Sequence, residues 1–126
     1  MANPNLLGIS TVIGVTTHVG VTSTFTSVLA NGVDSGHLYK IVSIIAANTS
    51  TTNTGLTVNL NDSAAGSGTS QAICHNVVVP AASTLVILDK STSYFVTENN
   101  SILTQANFAG NLDLSVVYED ISGNHG

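Results

Sequence analysis

Cys74 and His75 are the first residues to test for chemistry, because a thiol beside an imidazole can pair a nucleophile with its base. Their spacing argues against it. They sit in a run rich in strand-forming residues, and neighbours on a strand point to opposite faces, so the two side chains cannot meet directly. His18, His37, His75 and His125 show no metal-ligand spacing, and no cysteine cluster accompanies them. Asp113 and Glu119 are too far apart along one strand to share a proton; a glycosidase pair would have to be assembled across strands, and with no acidic residue in a recognisable motif they read as solvated carboxylates. Asn59, Asn61 and Asp62 offer oxygens that calcium favours, but without the spacing of a calcium loop, so an ordinary polar turn is expected. Asn48-Thr49-Ser50, Asn61-Asp62-Ser63 and Asn99-Asn100-Ser101 match the N-glycosylation pattern, which chance produces readily in a chain so rich in these residues. No catalytic residue, cofactor or metal site is assigned, and the chain is read as a non-enzyme.

Composition narrows the remaining classes. The 126 residues suit one domain that can bury about two thirds of its unfolded surface without metal or disulfide. Hydrophobic residues are 43%, as in a globular protein, but charged residues are only 7%, against about 25% in typical soluble domains. Lys40 and Lys90 are the only basic side chains besides histidine, so clustered phosphate contacts to nucleic acid are excluded. The net charge of −5 comes from seven scattered carboxylates. The polar content is Ser, Thr and Asn, which solvate a surface without long-range repulsion and permit close packing against other copies. Cys74 is the single cysteine, expected as a small buried apolar side chain with no intrachain disulfide. No basic segment precedes an apolar run near Met1, so no secretory signal is expected. The stretches 41–47 and 77–88 are too short to span a bilayer, and no membrane partner is expected.

The elements that position these residues read as strands throughout. Leu112, Leu114, Val116 and Tyr118 fall on alternate positions and Asp113, Ser115 and Glu119 on the others, the mark of a strand with one buried face. Gly110-Asn111 before it suggests a tight turn, so residues 101–119 read as a β-hairpin. Residues 9–21 and 22–30 are rich in Val, Ile and Thr, with Gly14 and Gly20 suggesting a bulge or bend. Asn31-Gly32 is the strongest hairpin signal in the chain. Residues 38–47 are apolar on both faces, with Tyr39, Ile41 and Ile45 on one and Leu38, Val42 and Ile44 on the other. Such a strand is central or lies at a subunit contact. Leu56, Val58 and Leu60 alternate cleanly. Residues 62–70 are rich in Gly, Ala and Ser and are expected to be mobile or ordered by a partner. Further strands follow at 71–79, ending at Pro80, and at 84–88 and 93–97. The resulting fold is all-β, an antiparallel β-sandwich of about eight or nine short strands, with a jelly roll among the topologies it admits. Residues 1–8 read as an extended arm, 9–122 as the single domain and 123–126 as a flexible tail.

A resemblance adds to this reading. Met1-Ala2-Asn3-Pro4-Asn5-Leu6-Leu7-Gly8-Ile9-Ser10, the stretch from Tyr39-Lys40-Ile41 to Asn48, Val79-Pro80-Ala81 through Leu88-Asp89-Lys90, and Tyr94-Phe95-Val96-Thr97-Glu98 through Tyr118-Glu119-Asp120-Ile121-Ser122 resemble small virion proteins of tailed phages, marine and cyanobacterial ones in particular. Asn99-Asn100 stands where that family often has Gly-Asp, which affects only a turn. The resemblance implies a structural protein of the virion, assembled in the host cytoplasm, and most specifically a capsid decoration or cement protein that binds and stabilises the outer head surface. A tail or neck component is the near alternative. A carbohydrate-binding β-sandwich is the other, weakened by the absence of Trp and by the alternating, core-type positions of most of the three Tyr and three Phe. Implied partners are other virion proteins, such as the major capsid protein, and further copies of the chain, with a trimer preferred. Candidate assembly contacts are Pro4, Leu6 and Leu7 in the arm, and Leu38, Val42 and Ile44 in the two-sided apolar strand.

Overall fold

The computed structural model describes residues 9–89, 94–108 and 110–123, and Pro4, Leu6 and Leu7 lie outside them. Nine strands are present among the described residues: β1 (Ile9–Val21), β2 (Thr26–Asn31), β3 (His37–Asn48), β4 (Thr54–Asn61), β5 (Ser70–Val79), β6 (Thr84–Leu88), β7 (Tyr94–Val96), β8 (Asn100–Ala106) and β9 (Leu112–Gly123). One sheet has the order β1-β9-β3-β6, with β7 also paired to β3, and the other has the order β2-β8-β4-β5. All pairings are antiparallel. Setting β7 aside, this is the strand order of a jelly roll, two interlocked Greek keys closed into a sandwich. β9 runs through Gly123, which pairs with Ile9 of β1, and the rest of the expected tail, 124–126, lies outside the described residues.

The core is where the alternation in β9 places it. Leu112, Leu114 and Val116 are buried between the sheets with Val21, Ile44 and Ala46, facing Leu56, Val58, Val79 and Ile102 from the second sheet. β3 is central as expected, with β9 on one side and β6 and β7 on the other. Its face assignment is corrected by a bulge. The register against β9 shifts between Ile41 and Ser43, so Val42 becomes the extra residue. Ile44 therefore joins Ile41 on the core face, both fully buried, and Ile45 moves to the other side. Pairing along β1 is continuous through Gly14 and Gly20, and its one irregularity falls between Ile9 and Thr11.

Both expected hairpins are arches instead. β2 and β3 lie in different sheets, as do β8 and β9, and β4–β5 is the one pair of consecutive strands that hydrogen-bond together among the described residues. A two-residue type I′ turn needs positive φ at both central residues. At 31–36 the positive φ values fall on Asp34 (54°) and Gly36 (76°), not on Asn31 or Gly32. At 110–111 Gly110 has φ 83° but Asn111 does not share the left-handed region. Asn111 instead bridges to the neighbouring β3–β4 arch, where its carbonyl accepts from the Thr49 amide at 2.9 Å and its side chain donates to Thr54 Oγ1 at 3.0 Å.

Candidate assembly surface

Three strands end in a buried asparagine, and these residues fix the ends of the sandwich. Asn31, at the end of β2, donates from Nδ2 to the carbonyls of His37 (2.8 Å) and Val96 (2.9 Å). Asn48, at the end of β3, donates to Thr52 O (2.8 Å) and Val79 O (2.9 Å). Asn61, at the end of β4, donates to Gly68 O (3.1 Å) and Ser70 Oγ (2.8 Å). Two of these clamps link one sheet to the other. Asn48 and Asn61 are also two of the three glycosylation matches, and their buried, hydrogen-bonded amides are closed to a glycosyl transfer in the folded chain.

The loop 62–70 is organised rather than loose. Asn61 Oδ1 accepts from the amides of Ser63 (3.0 Å) and Gly68 (3.1 Å), and Asp62 Oδ1 from Thr69 (2.7 Å). Asn99 and Ser101 tie it to β8 through the Ala64 amide and the Ser63 carbonyl. Gly66, at φ +78°, lies over Leu103, so the loop covers an apolar residue on the outer side of the second sheet. The same bonds occupy Asn61 Oδ1 and Asp62 Oδ1, two of the oxygens considered for calcium. A neighbouring pocket of about 200 Å³, lined by Leu60, Asp62, Thr69, Gln71 and Asn100, is smaller than a typical ligand site.

The candidates for catalysis stay apart. Cys74 is half-buried on β5, its thiol within reach of the Leu56 carbonyl at 3.8 Å, while His75 is exposed. Burial pushes the Cys74 thiol above its ordinary pKa, partly offset by a hydrogen bond from the Val58 backbone, which disfavours the nucleophilic thiolate. Asp113 is opposite Gly20 and Ala47, whereas Glu119 is opposite Gly14 and Lys40, with its carboxylate 3.9 Å from Lys40 Nζ. No group of three or more His, Cys, Asp and Glu residues among those described could hold a metal. No helix among them is long and apolar enough to cross a membrane.

Sequence reasoning missed one polar cluster. His37 Nδ1 and Asp120 Oδ1 are 2.6 Å apart on the β3–β9 pair. Beside them the rings of Tyr39 and Tyr118 pack at 5.0 Å with a 50° tilt. Burial first, and then the Asp120 charge, push both phenols above their usual pKa. No local signal could reveal the pair, because it depends on the register of strands far apart in sequence. No serine or cysteine among the described residues is hydrogen-bonded to the other nitrogen of His37.

What the structure does assemble is a set of neutral edges. The sheet edges are β1 and β6/β7 in the first sheet and β2 and β5 in the second. None of them contains Asp, Glu, Lys or Arg, and Asp34 is the first charged residue in the chain. Within strands, charge is confined to Lys40 on β3 and to Asp113, Glu119 and Asp120 on β9, the two inner strands of the first sheet. Exposed large apolar residues lie on or beside the edges: Val12 and Ile13 on β1, Val78 on β5, Val86 on β6, Tyr94 and Phe95 on β7, and Phe25 next to β2. Four of the six aromatics (Phe25, Tyr94, Phe95 and Phe108) are thus exposed, which corrects the expectation that most fill the core. Of the strand-borne contact candidates, Ile44 is wholly inside the core and Leu38 nearly buried, while Val42 is half-exposed at the bulge.

No protein-family model matches the chain, and no curated protein matches it. Among solved structures, it is similar to a chain from Bacillus endospore appendages, a family of disulfide-linked pili, with 14% identity and a TM-score of 0.55 over 98% of this chain and 90% of that one. A pentameric capsid protein from metagenomic phage sequences aligns at 14% identity and a TM-score of 0.37, over 94% of this chain and 62% of that one. At 14% identity the likeness to the endospore-appendage chain extends to the fold alone, shared over nearly its whole length.

Proposed function

We propose that this chain is a non-enzymatic structural subunit of a phage virion, and specifically a capsid decoration or cement protein. The observation that carries a structural role is the lack of charge on every sheet edge. Edge strands present unpaired N–H and C=O groups, and proteins that must stay monomeric blunt them with charge, proline or a cover. Here β1 offers thirteen residues with no Pro, Asp, Glu, Lys or Arg among its strand positions. The virion assignment rests on the sequence resemblance, with a tail or neck position as the near alternative. A jelly roll in an appendage subunit is compatible with a building-block role. The exposed aromatics do not favour the carbohydrate reading. Phe25 and Phe108 stand at the end of the sandwich where β1 and β8 finish, and Tyr94 and Phe95 at the opposite end.

In this proposal the chain self-associates, with a trimer preferred, and binds the major capsid protein through the arm bearing Pro4, Leu6 and Leu7, with Leu38 and Val42 as further contacts. Light scattering on the purified chain, together with co-sedimentation and antibody labelling of intact particles, tests it. A trimer found on the outer head surface is the expected result. Label on the tail or neck would move the chain to the alternative, and its absence from particles would defeat the virion reading. Deleting residues 2–7 should leave folding intact and abolish particle binding, and unchanged binding would eliminate the arm as the anchor.

A further inference from the structure

We infer that the β1 edge of one molecule continues the first sheet of a second copy at its β6/β7 edge, head to tail. This rests on the self-association proposed above and specifies how it occurs. Strand direction permits it. β1 runs antiparallel to β9, β9 to β3, and β3 to β6 and β7, so the two outer edges of the sheet run in opposite directions. A second copy in the same orientation therefore brings its β1 antiparallel against β6 and β7.

The exposed apolar residues of the two edges fall within two residues of each other in height. Tyr39, Lys40 and Ile41 of β3 pair with Val96, Phe95 and Tyr94 on one side and with Asp120, Glu119 and Tyr118 on the other. Those β9 residues pair in turn with Ile13, Gly14 and Val15. Gly14 thus lies level with Phe95 and Val15 with Tyr94, so the exposed Val12 (51%) and Ile13 (52%) of β1 are the diagonal neighbours, two residues along, of the exposed Phe95 (47%) and Tyr94 (37%) of β7. Joining the edges covers both sets at once. In the unshifted register Phe95 stands across from Gly14, beside Val12 and Thr16. Nothing lies within 4 Å of a Cβ built on Gly14, so the ring has room to lie over the bare backbone. An aromatic across from an edge glycine is a recognised way of restoring the packing the glycine lacks.

A two-fold pairing of β1 with β1 is the competing arrangement. Centred on Val15, it sets Val12 opposite His18 and leaves Tyr94 and Phe95 uncovered. The head-to-tail contact is heterologous, so it closes into a ring if the rotation between copies allows and otherwise propagates as a fibre.

Two substitutions on the full chain separate these cases. Gly14→Lys charges the β1 edge and Phe95→Glu charges the β7 edge, both at exposed positions. Each alone should weaken self-association roughly tenfold or more, because a like edge now meets an unpaired charge. Mixed one to one, the two variants should reassemble, since the altered β1 edge meets the altered β7 edge and the untouched edges meet each other. Val12→Lys replaces Gly14→Lys if the latter melts well below wild type. Wild-type assembly by Phe95→Glu, or failure of the mixture to reassemble, overturns the inference while leaving self-association in place. A wild-type chain that stays monomeric at high concentration removes the self-association reading itself.

Discussion

Replacing Asn31 tests whether a buried amide, rather than a turn, joins the two sheets. Asn31 is fully buried at the end of β2, and its Nδ2 donates to His37 O and Val96 O, one carbonyl from β3 and one from β7. Its Oδ1 accepts from Ser35 Oγ, which in turn accepts from the His37 amide at 3.1 Å. Asn31→Ala removes two donors from two carbonyls and breaks this relay. At about 1 kcal/mol per hydrogen bond, with a further ~1–2 kcal/mol for acceptors left without a partner, the expected loss is ~2–4 kcal/mol. That is a large share of the roughly 5–15 kcal/mol that holds a domain together.

Urea unfolding reads the loss as a lower midpoint at an unchanged slope, since the surface exposed on unfolding is the same. Asn31→Asp supplies the control. It keeps the side chain's size but sets oxygens against two carbonyls, so it should cost at least as much as alanine. A loss below about 0.5 kcal/mol for alanine, the range of ordinary surface changes, would refute the clamp. So would an aspartate variant clearly more stable than the alanine one, because packing alone would then account for the site.

Leu114→Ala should cost ~2–5 kcal/mol by urea melting, with ~2.4 kcal/mol from three lost carbons and the rest from the cavity, whereas Asp113→Ala on the other face should stay near zero. Thr104 is fully buried with no partner for its hydroxyl among the described residues, so Thr104→Val should stabilise the fold by about 1 kcal/mol, visible as a higher Tm. Alkylation of Cys74 should keep accelerating beyond pH 9, because burial holds its thiol protonated where a free cysteine has already ionised, and a rate that levels off below pH 9 would contradict that environment.

The alternation Leu112, Leu114, Val116 was readable because side chains on a strand have a period of two and only one face of β9 is dry. The apolar run 38–47 likewise declared a strand covered on both sides, and β3 is the inner strand between β9 and β6/β7. Connectivity was not readable in the same way. Asn31-Gly32 and Gly110-Asn111 say that the chain turns, but not whether the strands on either side share a sheet. That is decided by pairings such as Val21 with Leu112, far apart in sequence. Asparagine carries the same ambiguity. Asn48 and Asn61 read as polar turn residues, yet at strand ends their amides become buried donors that satisfy backbone carbonyls. The bulge at Val42 is a third case, since one extra residue moves Ile44 from an expected contact position into the core without any change in local composition. The edges of the sandwich, and so the candidate assembly surface, could be located only once the strand order was known.

The placement of the few charges also bears on how copies meet. Net charge keeps a protein soluble, while charge on an edge strand blocks strand addition, and the two effects can be separated by position. Here Lys40 and Glu119 occupy the outer face of the first sheet on β3 and β9, opposite the core-facing Ile41 and Tyr118. Asp113 is exposed farther along β9. Inner strands cannot accept another strand, so these groups leave edge pairing open. They do hinder face-to-face stacking of that sheet, because closing a second sheet over them would desolvate the carboxylates. In the proposed assembly this leaves the rim of the first sheet, where β1 and β7 carry exposed apolar residues and no charge, as the place for association. A lysine moved from position 40 to an exposed place on β1 would leave the net charge unchanged and reverse this preference, which makes position rather than amount of charge the controlling variable.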